Sequence, residues 1–459
     1  MTVRGPSASP PRFAARSLSG WGRFPVLDVH LYRPEKQAAL AAIVRDAAET
    51  SLIARGLGRS YGDAALNAGA GVVGLERLNR MLSFDPVTGV LECEAGVSFA
   101  DIIETFLPRG FFPGVTPGTR FVTVGGAIAC DVHGKNHHRD GTIASTLVDM
   151  RLLLASGEVV TCSPTARPDI FWATVGGLGL TGVIISASFR LRAVETSYVT
   201  ADRERARDLD DALERFDATD QRYRYSVAWI DGLARGRRMG RSVLVQANDT
   251  PAAAIAGRRF TPQASSRMRA IPFDLPSFAL NPMSVGAFNA GYYAAHGDKK
   301  GLVVGMESFF YPLDAIHHWN RLYGRRGFVQ YQVVFPTSTA REGLRDILER
   351  AGRSRRPSFL AVLKRFGEAN AGMLSFPFAG FTLAIDMPAT PDIRDVIAAL
   401  DAITLRHGGR VYLAKDAALG REGFAAMYPR AEEFRAVKRR LDPEGRFSST
   451  LSRRIGLDE

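Results

Sequence analysis

Residues 117–138 read PGTRFVTVGGAIACDVHGKNHH, and this stretch decides how the rest of the chain is understood. A β-branched run, Val122-Thr123-Val124, favours extended backbone. Gly125-Gly126 follows and removes side chains where the chain must turn or approach something closely. Ala127, Ala129 and Cys130 keep the next turn thin. Backbone N–H groups left bare by such a segment can point at a phosphate. A glycine pair alone marks a tight turn beside a packed helix. Here His133, Lys135, Asn136, His137 and His138 crowd the same segment, more polar groups than packing requires.

Two more stretches belong with it. Arg55-Gly56-Leu57-Gly58-Arg59-Ser60-Tyr61-Gly62-Asp63 follows Thr50 to Ala54, which reads as a short buried strand. Alternating glycines let its amides wrap an anion. Residues 171–182 read FWATVGGLGLTG and contain a GxGxxG pattern from Gly177 to Gly182. A nicotinamide site needs a strand before those glycines and a helix after them. Here a Phe-Trp-Ala segment precedes and a β-branched strand follows, so NAD is not assigned.

Together the three stretches resemble the FAD-binding domain of the vanillyl-alcohol-oxidase superfamily. The narrower likeness is to the decaprenylphosphoryl-β-D-ribose 2′-oxidase family. It continues through SVAWIDG (226–232), FFYPLD (309–314), QYQVVFP (330–336), FLAVLKRFG (359–367), LSFP (374–377) and YLAKD (412–416). Only the N-terminal tail and the middle of the substrate domain fall outside it. The resemblance implies an α+β, two-domain PCMH-type FAD-binding fold with an inserted β-rich substrate domain. Residues 1–194 would form the FAD domain, with 1–17 a flexible tail. Residues 195–409 would bind substrate, and 410–459 would return to the FAD domain.

The resemblance also implies residue roles. FAD would be held by Arg55, Gly56, Leu57, Gly58, Arg59, Ser60, Tyr61 and Gly62; by Pro117, Gly118, Thr119, Thr123, Val124, Gly125, Gly126, Ala127, Cys130, Asp131, Gly134, Asn136 and His137; and by Gly179, Gly182, Val183, Ile184 and Tyr412. Arg59 stands where many relatives carry the histidine that bonds covalently to flavin. Arginine is no nucleophile at working pH, so the flavin is expected to be noncovalent. Substrate would meet Lys135, Trp229, Tyr311, Gln330, Gln332, Leu363, Lys364, Phe366, Ala384, Asp386 and Lys415. The family's mycobacterial members carry a cysteine at the position of Ala384. Lys415, Tyr61 and His133 are the expected catalytic residues. A lysine after an apolar strand most often snorkels to the surface. The resemblance instead turns Lys415 toward flavin and sugar, where a cation stabilises developing negative charge.

The implied reaction is FAD-dependent oxidation of the 2′-hydroxyl of a polyprenyl-phosphoryl-β-D-ribose to a 2′-keto sugar. This would be the first half of an epimerisation to arabinose for the cell envelope. An NAD(P)H-dependent short-chain reductase would complete it. An alditol or aldonolactone oxidase with a soluble substrate is the alternative on the same scaffold. A non-catalytic flavoprotein that binds lipid phosphate or a partner is a third reading.

Composition bounds these readings. The chain has 459 residues, 46% hydrophobic, enough for two domains with real cores. Cys93, Cys130 and Cys162 make no disulfide framework and no CxxC pair. The first residues lack the apolar core of a secretory signal, and no apolar run reaches the length of a membrane span. A cytoplasmic protein is expected, with peripheral contact at the inner face of the plasma membrane left open. The formal net charge of +12 has three readings. A generally solvated basic surface is the plainest. Nucleic-acid binding lacks the clustered arginines and stacking motif it needs. Attraction to anionic lipid or lipid phosphate is the third. His133 and His137 would suit one helix face, but no Glu lies between them and no motif completes a hydrolytic site, so no metal is assigned.

Periodicity supplies local expectations. Gly89 to Ala95 alternates as a strand, and Ser98 opens a capped helix with Ile102, Ile103 and Phe106 on its apolar face. Val148 to Leu154 and Val159 to Cys162 read as a hairpin, and Val183 to Leu191 as a strand. Arg203 to Phe216 reads as a charged amphipathic helix. Strands are expected at Tyr223 to Ile230, Ser242 to Gln246, Val329 to Phe335 and Gly380 to Met387, with a helix from Ile393 to His407. Thr261 to Val285, rich in Pro, Ser and Phe, reads as a lid or as disorder.

Overall fold

The computed structural model describes residues 11–255, 260, 269–276, 278–354, 358 and 360–459. Residues 1–10 of the expected tail, and 261–268 and Ser277 of the expected lid, lie outside them. Residues 14–17, expected in the tail, instead pair. Ala14–Ser19 runs antiparallel to Val26–Tyr32 at the edge of a four-stranded sheet completed by Gly71–Gly74 and Leu52–Arg55.

A second sheet runs in the order Met81–Asp85, Val90–Glu94, Val183–Ala193, Leu147–Leu153, Val159–Cys162. Its members match the alternating runs in the sequence, and the expected hairpin pairs antiparallel. The expected helix is Phe99–Phe106. The Ser98 hydroxyl accepts from the Asp101 N–H at 3.1 Å, while the Asp101 carboxylate accepts from the Ser98 N–H at 3.2 Å. Ile102, Ile103 and Phe106 are buried as expected.

The extended run at 122–124 ends one residue early. The Thr123 side chain accepts from the Gly126 N–H at 3.2 Å and caps a short helix, Val124–Ala129, so Val124 is helical. A cap outweighs the β preference of one valine.

The third sheet has eight strands in the order Lys299–Gly305, Tyr198–Ala206, Ser242–Asp249, Tyr225–Ile230, Ala361–Phe366, Gly380–Pro388, Phe328–Pro336, Arg410–Val411. The helix expected from Arg203 begins only at Leu209. Asp208 caps it by accepting from the Asp211 N–H, and residues 203–206 stay in a strand held between two neighbours. Helices Leu209–Thr219, Ala340–Arg353 and Ile393–Arg406 pack on one face of this sheet. The other face is left for the cavity described below. A further helix, Pro282–Ala295, occupies the end of the expected lid.

The C-terminal segment reaches back to the first sheet. Phe447 bridges to Leu52, whose N–H donates to the Arg446 carbonyl at 2.7 Å. The Arg446 guanidinium donates to the carbonyls of Ile43, Val44, Ala47 and Glu49. Arg454 donates to Asp63 at 2.6 Å and to Asp416 at 2.9 Å, both carboxylates being almost fully buried. This pairing clamps the loop after Leu52–Arg55 to the loop that carries Lys415. Removing the guanidinium strands two buried charges, at a cost of about 3–5 kcal/mol.

Candidate active site

One cavity of about 940 Å³ runs between the glycine-rich loops and the open face of the eight-stranded sheet. Its loop end is made mostly of backbone. Residues 55–61 line it, and none of the N–H groups from Gly56 to Ser60 donates to an acceptor among the described residues. Five consecutive donors without a protein partner, on residues that line a cavity, can form a concave anion site. Two glycines explain the thinness. A Cβ on Gly62 would lie 1.7 Å from the Asp416 carbonyl oxygen, so only glycine lets the two loops meet. A Cβ on Gly118 would meet nothing within 4 Å, because that position opens into the cavity.

Pro117, Thr119, Thr123, Gly125, Gly126, Ala127, Cys130, Gly134, Gly179, Gly182, Ile184 and Tyr412 also line this end. Arg55 lines it but spends its guanidinium on the carbonyls of Ser19, at 2.6 Å, and Ala65, at 3.2 Å, so it braces the loop. The Arg59 guanidinium lies 4.0 Å from the centre of the Trp21 ring.

Six expected cofactor residues are not at the cavity wall. Val124 and Val183 are turned into the cores. Gly62 packs on Asp416. Asp131 accepts from Asn370 at 2.7 Å and from the Ser375 hydroxyl. Asn136 donates to the Gly114 carbonyl at 2.8 Å. His137 accepts the Gly367 N–H at 3.1 Å and packs on Phe366. They hold the wall from behind. His133 sits in extended backbone bridged to Thr142, so it shares no helix face with His137. Among the described residues no group of three or more His, Cys, Asp or Glu side chains is placed to hold a metal ion.

The sheet end is made of side chains. Gln330 and Gln332, Ala384, and Val362 and Lys364 come from three adjacent strands and face the cavity. Alternation along Ala361–Phe366 sends Leu363 to the opposite face, so it is a core residue and not a substrate contact. Phe366 packs against the His133 ring at 4.7 Å, behind the wall. The Tyr311 hydroxyl is taken by Thr116 at 2.5 Å, and its side chain lies just off the cavity. Trp229 lines the cavity and packs on Tyr292 at 4.6 Å. Asp386 is fully buried off the cavity wall, beside Gln330, whose amide donates to it at 2.6 Å; its other carboxylate oxygen has no partner.

Three lysines converge where the two ends meet. Lys135 donates to the carbonyls of Phe309 and Phe310, at 2.5 and 2.9 Å. Lys364 has no hydrogen-bonding partner among the described residues. The Lys415 ammonium lies 3.8 Å from the centre of the Tyr61 ring. Withdrawal from water pulls Lys415 down to about 7, against the opposing pull of the Asp386 charge. It pulls Lys135 down to about 7, helped by the Lys364 charge, and Lys364 down to about 8. It pushes Asp386 up to about 7. His133 accepts from the Gln332 amide at 3.0 Å and is held well below its ordinary value by burial and then by Lys364. It is therefore neutral, with its proton on Nδ1, an atom that has no partner in the protein.

These features fit a large dianionic cofactor. The cavity is at the upper end of ligand-site volumes, one end offers bare N–H donors, and the partnerless Nδ1 of His133 belongs to its wall. The sequence reading missed the walls contributed by Trp21, Leu313, Trp319 and the helix Pro282–Ala295. One signal was present: no Asp, Glu, Lys or Arg occurs from Leu275 to Gly297.

Comparison with known proteins agrees with this geometry. Residues 30–163 match a family described as an FAD binding domain, and residues 378–455 one described as D-arabinono-1,4-lactone oxidase. The decaprenylphosphoryl-β-D-ribose oxidase of Mycolicibacterium smegmatis is 37% identical over 453 residues, covering 96% of this chain and 98% of that protein. An uncharacterized Streptomyces coelicolor protein is 34% identical, covering 78% of this chain and 99% of its own length. An L-gulono-1,4-lactone dehydrogenase of Mycobacterium tuberculosis is 23% identical, covering 93% of this chain and 95% of that protein.

Proposed function

Because this chain belongs to the decaprenylphosphoryl-β-D-ribose oxidase family of FAD-dependent oxidoreductases, we propose that it oxidises the 2′-hydroxyl of a polyprenyl-phosphoryl-β-D-ribose to the 2′-keto sugar. The observation that carries this reading is one cavity whose bare-amide end meets a lysine cluster and whose further lining, with Val227, Trp229, Val243, Val245, Leu302 and Val304, forms an apolar passage. FAD, when bound, supplies the two-electron acceptor that an alcohol oxidation needs.

The protein's own residues do the rest. Gly56 to Ser60 offer amide donors to the cofactor's phosphates. Arg59 lies against Trp21 and forms no covalent bond, so acid precipitation is expected to leave all flavin in the supernatant. Gln330, Gln332 and Lys364 orient the sugar and its phosphate. Asp386, held by Gln330, and Lys415 share the neutral range, so Lys415 Nζ in its neutral form can take up the proton that the hydroxyl loses as it is oxidised. Neutral His133 adds a hydrogen-bond donor at Nδ1. Within this reading residues 1–194 and 410–459 hold FAD, and 195–409 hold the substrate. A 2′-keto product calls for an NAD(P)H-dependent reductase as the partner activity.

The match of residues 378–455 to a lactone-oxidase family favours a second reading, a soluble aldonolactone substrate. The apolar passage favours the lipid-linked sugar, because a lactone has nothing to fill it. Product analysis tests the reaction. Trapping the product with borodeuteride is expected to place deuterium at C2′ of the ribosyl unit; label elsewhere, or none, contradicts it.

A further inference from the structure

The helix Pro282–Ala295 is unlike the rest of the surface. From Leu275 to Gly297 the chain carries no charged side chain, although 23% of the whole is charged. The helix is anchored at few points: Val285 and Asn289 are its buried residues, and the Asn289 amide donates to Asp231 at 2.7 Å. Its inner side, with Ser284, Val285, Phe288 and Tyr292, roofs the cavity. Its outer side faces solvent and is also apolar. Met283 is 85% exposed, and Phe278, in the turn before the helix, is 76% exposed. Large apolar groups exposed side by side in this way mark an interaction surface.

Charge selects the partner. Lys299 and Lys300 are exposed just past the helix. At its other end the loop 271–275 is bound by Arg321, which donates to the carbonyls of Ile271 and Pro272, and exposed Arg325 and Arg326 follow. An uncharged apolar face with basic groups at both ends is the pattern of a helix lying in the headgroup region of an anionic membrane. At 14 residues the helix is about 21 Å long, too short to span a bilayer. Among the described residues no helix is long and apolar enough to do so.

We infer that the outer face of Pro282–Ala295, with Phe278 and Met283 at its tip, docks on an anionic lipid bilayer, so that a lipid tail passes sideways from the bilayer into the cavity under this helix. The passage of the tail rests on the proposed polyprenyl substrate; the docking surface does not.

The test uses the FAD-loaded full chain and the double variant Phe278→Asp/Met283→Asp. Neither side chain lines the cavity, and both are largely exposed, so fold and cofactor content stay as in the wild type. Binding is measured by sedimentation with vesicles of phosphatidylcholine containing about one third phosphatidylglycerol. Wild type is expected to bind and the variant to bind about tenfold more weakly or worse, the factor one buried apolar side chain represents. A short-chain polyprenyl-phosphoribose dissolved in buffer should turn over equally in both, while a long-chain one carried in vesicles turns over more slowly in the variant. Equal vesicle binding by the two proteins overturns the inference. So does a wild type that ignores vesicles but self-associates in a way the variant does not, which makes the patch an interface between copies. If neither substrate turns over but vesicle binding still differs, the surface stands and the substrate reading fails.

Discussion

The loop Gly56 to Ser60 and the strand Phe328–Pro336 close the two ends of one cavity by opposite means. The loop contributes backbone: five unpaired N–H groups, with glycines where a Cβ would intrude. The strand contributes side chains, Gln330 and Gln332, on a regular antiparallel frame that any alternating sequence could supply. A backbone site constrains which residues may be absent. A side-chain site constrains which must be present, and only at alternate positions. Substitutions at the two ends should therefore fail differently, one in cofactor binding and the other in rate.

The largest expected effect is at the junction. Lys415→Met keeps the apolar stem and removes the charge over Tyr61. Flavin reduction by substrate should slow by roughly a hundredfold to a thousandfold, the loss typical of one preorganised electrostatic contact, with FAD content unchanged. Stopped-flow bleaching reads the rate; a change below about threefold removes Lys415 from the catalytic set.

At the backbone end two glycines separate cofactor space from packing space. Gly118→Val adds volume where the protein itself leaves none occupied, so FAD affinity should fall about ten- to a hundredfold while the apoprotein keeps its melting temperature. Gly125→Val puts a Cβ 2.8 Å from the Ala95 methyl carbon and should lower stability as well, by about 1–3 kcal/mol. Fluorescence titration with FAD and thermal denaturation of both variants test the contrast. Equal melting losses would erase it.

This contrast also explains what the sequence could tell. The glycine loops were legible because backbone chemistry dictates residue type at consecutive positions. Ser98 and its capping box were legible for the same local reason. Gln330, Gln332, Lys364 and Lys415 carry no such signature and were named only through the order of motifs in a related family. Leu363 was misplaced beside Lys364 because a motif ignores which face of a strand a residue occupies. Val124 and residues 203–206 were misassigned because a cap at Thr123 and another at Asp208 set the helix starts. The helix over the cavity was missed because it is apolar all round and shows no stripe. Its lack of charge was the only clue.

The smallest expected effect lies on the hidden face of the same strand. The Tyr331 hydroxyl donates to Asp401 at 3.0 Å, and burial pushes that carboxyl up to about 7, with Asp416 adding to the shift. A raised folded-state value contributes stability that is complete below the ordinary carboxylate range and is lost as pH rises through about 7. Between about pH 4 and 8, wild type should therefore lose stability relative to Asp401→Asn. Urea midpoints across that window check the slope; parallel profiles would show that Asp401 ionises normally.

The lysine cluster and the apolar passage beyond it call for a lipid-linked pentose and not a free lactone as substrate. Anaerobic mixing of the FAD-loaded protein with a polyprenyl-phosphoryl-β-D-ribose, and separately with L-gulono-1,4-lactone at the same concentration, tests it in one instrument. The lipid-linked sugar is expected to bleach the flavin in a single turnover, at least about tenfold faster than the lactone. Bleaching by the lactone at an equal or greater rate, or none with the lipid-linked sugar, would contradict it.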